Sequence, residues 1–393
     1  MLRRPRAPGS LVMIVGLAAC AAEPASEGEA SSERAFVETL GTDTIAIESF
    51  ASTDSSIDGQ VVSRNPVTTL ARYHADLDAE GRIVRFEASW HPGEALDGPA
   101  ASRATVTRDG EGVQIIRTRP EGTDTVTVEP EATLVPHVGR LPLAVGMVDY
   151  ATRRAVAEGA DPMDIAILAP LSGRLASNAI EARGAGVYSL DYFGSRQLIT
   201  VDEAGAVQSI SGRETTNRVE VVPAERLDLM ALAADFAARD ASGSGLGVPS
   251  PTDTVVATIG GAELEVVYSR PAMRGREIWG GLVPYDEVWR TGANAATHFT
   301  TSRPIRLGDL DLPAGTYTLW STYSPDEGTL IVNSQTGQWG TAYDAAQDFG
   351  RTALEQRPAG EPVERFTIEL APDASELRLV WAERMYVAPI VVR

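Results

Sequence analysis

Thr69-Leu70-Ala71-Arg72-Tyr73-His74-Ala75, then Asp78-Ala79-Glu80-Gly81, then Ile83-Val84-Arg85-Phe86-Glu87-Ala88 is the stretch that sets the fold. Apolar and polar residues alternate, a turn cluster intervenes, and the alternation resumes. A period of two puts successive side chains on opposite faces of a strand, so this is a hairpin with one face turned to a core. The same texture spreads both ways. Thr44 to Phe50 alternates upstream; Ala104 to Thr107, Gly112 to Thr118 and Asp124 to Glu129 follow downstream, each bounded by Gly, Asp or Pro. A second series runs through Gly186 to Phe193, Arg196 to Val201 and Ala206 to Ser211. Short alternating runs between turns describe an antiparallel meander.

Two segments break the pattern. Leu141 to Glu158 reads as a helix, with Pro142 near its start and Gly159 just past its end. A sheet interrupted by a helix and then continued predicts a curved sheet wrapped on that helix. In texture it resembles the open half-barrels of periplasmic lipoprotein carriers. Glu225 to Arg239 is the second helix, placing Leu229, Leu232, Ala233 and Phe236 on one face. Residues 240–253, rich in Gly, Ser and Pro, read as a linker. Beyond it, runs at 255–259, 263–268, 298–301, 316–323, 329–333, 365–370, 377–381 and 387–392 predict a C-terminal β-sandwich, with a polar helical insert over Ala342 to Glu355. The expected fold class is therefore mainly β: an N-terminal antiparallel curved sheet with one or two helices (35–239) and a sandwich (254–393).

The start of the chain decides the compartment. Arg3, Arg4 and Arg6 precede the short apolar run Leu11 to Leu17, and small residues lead to Cys20. This is a secretory signal, too short to span a bilayer as a helix of ~20 residues. Leu17-Ala18-Ala19-Cys20 resembles a bacterial lipobox, which implies cleavage after residue 19 and a diacylglycerol on the Cys20 sulfur. Cys20 is the only cysteine, so it forms no internal disulfide. Ala21 in place of Asp implies sorting to the outer membrane, on its periplasmic side. Residues 20–34, poor in apolar side chains, read as a flexible tether. Acyl chains at ~0.8 kcal/mol per buried methylene would anchor the body firmly. The membrane, through lipid on Cys20, is thus the expected partner, with an envelope ligand or protein besides.

Charge narrows the partners further. The chain carries −20, and loss of the three signal arginines makes it more acidic still. Such a surface repels nucleic acid and anionic lipid. Every basic side chain other than histidine is Arg, and the absence of lysine excludes Schiff-base, P-loop and Ser-x-x-Lys chemistry. No dinucleotide fingerprint, phosphate loop, zinc-ligand spacing or Gly-x-Ser-x-Gly elbow occurs, so no cofactor or metal is expected. A Ser-His arrangement formed in space is left open by any sequence reading. His74 and His91 would approach if their strands pair, with Asp76 or Glu94 as further ligands; ordinary, partly exposed histidines are the plainer reading.

The densest block is Ser269-Arg270-Pro271, Gly275-Arg276, Ile278 to Tyr285 (IWGGLVPY) and Glu287 to Asn294 (EVWRTGAN). With Leu312-Pro313-Ala314-Gly315-Thr316-Tyr317, Trp339-Gly340 and Leu377 to Trp381, it strongly resembles domain-of-unknown-function family 2911. That resemblance implies a β-rich exported module and supplies no reaction. Read physically, the block is a shaped loop. Arg270, Arg276, Trp279, Tyr285, Trp289, Arg290 and Asn294 are its candidate ligand-binding residues, arginine forks for a carboxylate or phosphate beside aromatic faces. The alternative is structural: the arginines pair with carboxylates such as Glu265 or Glu287, and the tryptophans plug the sandwich. Three functions follow: a binding or interaction module, an enzyme with a cleft of Arg276, Arg290 and Asn294, or a hydrophobic-ligand carrier. The carrier requires an apolar hollow that the 141–158 helix does not fill.

Overall fold

The computed structural model describes residues 33–393 apart from 111, 140–143, 193–194, 216–217 and 226. The expected signal segment, Cys20 and nearly all of the expected tether lie outside the described residues. Arg34 does not belong to a tether; it opens the first strand.

Eight strands follow one another as a meander: β1 (Arg34–Leu40), β2 (Asp43–Ser52), β3 (Ser56–Ser63), β4 (Thr69–Leu77), β5 (Ile83–Pro92), β6 (Ser102–Asp109), β7 (Gly112–Arg119) and β8 (Gly122–Val128). After β9 (Thr133–Pro136) and helix α1 (Val145–Glu158) come β10 (Met163–Ala169), β11 (Arg174–Gly184), β12 (Val187–Tyr192), β13 (Ser195–Val201), β14 (Val207–Ser211) and β15 (Val219–Ala224). Strand β15 pairs with β1, so the two series fuse into one fifteen-stranded sheet running from β8 to β9. Those two edge strands are joined by residues 129–132 alone. Across the seam, Arg117 and Arg119 of β7 both donate to the Leu171 carbonyl in the β10–β11 turn. The sheet has curled until its two ends come close, β7 touching the β10–β11 turn.

Alternation explains which face is inside. Tyr73, Ala75, Phe86, Ala88, Val106 and Ile115 point into one core with Ile165, Ile180 and Ile199 from the far wall. Helix α1 fills the middle, burying nine residues from Val145 to Ala155, and ends at Gly159 in the left-handed conformation. The carrier reading loses its hollow here: the cavity beside α1, lined by Glu38, Glu48, Ser63 and Val145, holds about 10 Å³, room for one water. Helix α2 (Leu229–Ala241) lies outside the barrel. Asp228 caps it, and Leu229, Ala233 and Phe236 cover Ile47, Val62 and Leu70. It starts four residues later than the sequence suggests and runs into the expected linker. No helix among the described residues is long and apolar enough to cross a membrane.

The second sheet has nine strands: β16 (Thr252–Ile259), β17 (Ala262–Ser269), β18 (Thr297–Thr301), β19 (Ile305–Leu307), β20 (Leu310–Leu312), β21 (Gly315–Tyr323), β22 (Gly328–Asn333), β23 (Asp348–Ala371) and β24 (Glu376–Val392). Strand β23 pairs with β22 through Leu354 and with β24 from Glu355 on, with register breaks near Pro358 and Val363. That bend folds the sheet over, so Leu264, Phe299 and Leu330 on one layer face Phe366, Leu379 and Ile390 on the other. The expected helical insert at 342–355 is not there. A single 3-10 turn, Ala345–Gln347, leads straight into β23. Polar, helix-permissive residues over 348–355 form a strand because every second one, Thr352 and Leu354, is buried by its neighbours.

Candidate binding surface on the C-terminal domain

Strands β17 and β18 are joined by residues 270–296, a span without regular strands of its own. Connections beyond about 12–15 residues usually carry function or pack as a unit. This one does the second for most of its length. Ile278, Trp279, Val283 and Trp289 are buried. Trp279, 5% exposed, meets Tyr323 and Tyr386 edge-on at 4.9 and 5.1 Å. Trp289, 8% exposed, stacks on Trp381 at 5.8 Å and exchanges backbone hydrogen bonds with Ser321. Neither ring offers a free face to a ligand; both plug the sandwich. Tyr285 is half-buried and accepts from Arg384, whose guanidinium lies over Trp279.

The arginines are disposed in three different ways. Arg270 binds Asp253, the Phe366 carbonyl and Thr367. Arg276 donates to the Met273 and Ala272 carbonyls and not to Glu265 or Glu287. Burial, with the Arg274 charge beside it, pulls its pKa down to about 10. Arg274 forms an ion pair with Asp43, and its carbonyl accepts from the Thr42 amide at 2.9 Å. Arg218 donates to the Gly281 carbonyl. The first half of the block is therefore a latch onto the β1–β2 turn and the β14–β15 connection of the barrel.

Arg290 stands apart. Its Nε is buried without a hydrogen-bond partner, and it has no ion pair among the described residues. Burial alone holds its pKa down. The stem passes so close to Gly340 that any Cβ there would overlap Arg290 Cδ and the Asn294 carbonyl. Gly340 N–H donates to that carbonyl at 2.8 Å, Ala296 N–H donates to Gln338 O, and Ala295 pairs with Trp339. His298 fixes the far end of this ladder: its Nδ1–H donates to Ala296 O, so Nε2 accepts from Gly337 N–H at 2.9 Å. Neighbouring residues of an extended segment point to opposite faces. Trp339 is thus turned away from Arg290 and is 57% exposed. Asn294, exposed and in the left-handed region, donates to the Ser250 carbonyl.

The seven candidates do not line one cleft. Arg270, Arg276, Trp279 and Trp289 are spent on the fold or the latch; Arg290 and Asn294 remain at the ladder. Trp339 was visible in the sequence only as part of the family pattern, since nothing local tells an exposed tryptophan from a buried one. Strands β4 and β5 do pair, but the register sets His91 opposite Leu70 and His74 opposite Glu87. His74 instead lies between Asp58 and Asp76. Among the described residues no group of three or more His, Cys, Asp or Glu is placed to hold a metal.

Fold and site together define a two-sheet, mainly β protein. Residues 250–390 match the model of the family described as protein of unknown function DUF2911. No curated protein matches the chain. A DUF1089 family protein from Pseudomonas aeruginosa is similar over 42% of this chain and 89% of its own, at 13% identity and TM-score 0.30. A beta-barrel-like protein of domain of unknown function DUF1849 from Brucella abortus is similar over 50% and 96%, at 10% identity and TM-score 0.33.

Proposed function

We propose that this protein is a lipid-anchored envelope lipoprotein that serves as a binding module, with its contact surface on the C-terminal domain around Trp339. The observation that carries the reading is a tryptophan 57% exposed on a ladder held rigid by its neighbours. A large aromatic held out in water on a fixed support is the kind of anchor that dominates binding energies. The lipobox-like Leu17-Ala18-Ala19-Cys20 supports tethering to the bilayer. The barrel, plugged by α1, serves as a rigid body between anchor and contact surface.

The test is co-purification from the native host. Crosslinked wild-type protein should carry a partner that Trp339→Ala loses, with unchanged melting temperature. Equal recovery from both would remove Trp339 from the account. Cys20→Ser should move the protein from the membrane to the soluble envelope fraction; an unchanged distribution would refute the anchor.

A further inference from the structure

On the outer face of the barrel, the register sets Arg72 of β4, Ser89 of β5 and Arg103 of β6 side by side. Their chain neighbours Ala71, Tyr73, Ala88 and Ala104 are buried inside, so this row points out. Strands about 4.8 Å apart place the two arginine stems about 10 Å from each other, with the serine between them. Several other arginines on these strands and turns are matched by acids, Arg82 with Asp78, Arg85 with Glu87 and Arg117 with Asp124, while Arg108 of β6 has no ion pair among the described residues. Arg72 and Arg103 have no ion pair among the described residues. Arg72 makes only long contacts, 3.4 Å to the Leu96 carbonyl and 3.6 Å to the Met230 sulfur.

Ser89 is tied to a histidine. Its Oγ lies 3.1 Å from His91 Nε2, and His91 Nδ1 lies 3.1 Å from the Gly98 carbonyl. A carbonyl only accepts, so Nδ1 carries the hydrogen, and in the neutral ring Nε2 accepts from the serine hydroxyl. In that state the hydroxyl hydrogen is turned away from the arginines. A proton on Nε2 reverses the bond: Nε2–H donates to Oγ, and the serine hydrogen is free to turn out between the two guanidinium groups. The charges acting on the imidazole are Arg72, Arg103 and, in the opposite sense, Asp97. Burial and the two arginines hold His91 below its usual range, which keeps the ring neutral while the row is empty. An anion seated there offsets both positive fields.

We propose that Arg72, Ser89 and Arg103 form a site for a small soluble phosphate-bearing anion, and that seating it takes up a proton on His91. Two guanidinium forks and one hydroxyl donor match the oxygens of a phosphate group. The chain's charge of −20 repels anions elsewhere, so a local site is needed for any such binding.

Inorganic phosphate is the probe, titrated calorimetrically into the full-length protein in detergent at fixed ionic strength. Two buffers of different ionisation heat report proton uptake. Saturable binding with proton uptake is expected in the wild type. Arg103→Gln, an exposed position, should weaken binding about tenfold with no change in melting temperature. Ser89→Ala should weaken it too, and His91→Gln should abolish the uptake. Flotation with phosphatidylglycerol vesicles separates a lipid headgroup from free phosphate. Heats equal to dilution overturn the proposal, as does affinity indifferent to Arg103→Gln or uptake that survives His91→Gln. Arg103-dependent flotation without phosphate binding also overturns it.

Discussion

Gly146 is a glycine because Tyr73 occupies the place of its side chain. A Cβ there would overlap Tyr73 Oη and press on Phe50 at 3.0 Å. Gly146→Ala should therefore cost about 1–3 kcal/mol through overpacking, despite alanine's better helix propensity; denaturant unfolding would show it as a lower midpoint. Arg290 gives the opposite expectation. The partly buried Arg290, its Nε sealed from water with no carboxylate beside it, gains little for the solvation it loses, so Arg290→Met should leave stability unchanged or raise it. Arg270→Met, which removes bonds to Asp253, the Phe366 carbonyl and Thr367, should lower it. Melting curves of the two variants side by side check the contrast. None of these partners was legible in the sequence. Arg270 and Arg290 look alike on paper, and only a pairing across the fold separates the satisfied one from the orphan.

Helix α1 shows what an element owes to distant residues. Its first turn is capped from outside: Glu48 accepts from the amides of Val145 and Gly146 and from Tyr73 Oη at 2.7 Å. One turn on, Asp149 binds Arg34, Arg153 and the Val207 amide. Burial raises Glu48 to about 7, while Glu38 on the neighbouring strand is raised as well. Glu48 thus keeps its proton in the native state after the unfolded chain has lost it, so its term falls as pH rises from 4.5 to 7, by about 3 kcal/mol. His137 runs the other way. Burial lowers it to about 4, so the unfolded chain binds the proton first and stability rises between pH 4 and 6.5. The two slopes oppose one another over that window. Glu38 adds to the falling slope, so Glu48→Gln should flatten the decline of stability with pH and His137→Gln should steepen it; urea midpoints across pH 4–7.5 give the answer.

Alternating strands such as β4 and β5 were legible because residues facing the barrel core alternate with more exposed ones. The segments Met163–Ala169 and Arg174–Gly184 escaped notice. The first is buried on nearly all sides and the second mostly exposed, so neither shows a period of two.

At the scale of the whole molecule, two cores are joined by a few polar contacts: Arg274 to Asp43, Thr42 to the Arg274 carbonyl, Arg218 to Gly281. Removing the ion pair with Arg274→Ala should uncouple barrel from sandwich. Calorimetry would then resolve two melting steps where the wild type shows less separation. The division into two β units could be read from the Gly-Ser-Pro stretch before β16, but not the latch, because the family-like block gave no sign that half of it faces the other unit.

The place where the body begins has a mechanical meaning. Strand β1 is interior, hydrogen-bonded to β2 on one side and β15 on the other, and Arg34 at its head grips α1 through Asp149. Tension arriving along the chain ahead of Arg34 runs parallel to that strand. It loads both ladders in shear all at once, where an edge strand would unzip bond by bond. The anchor proposed on Cys20 would thus pull against two strand ladders at once.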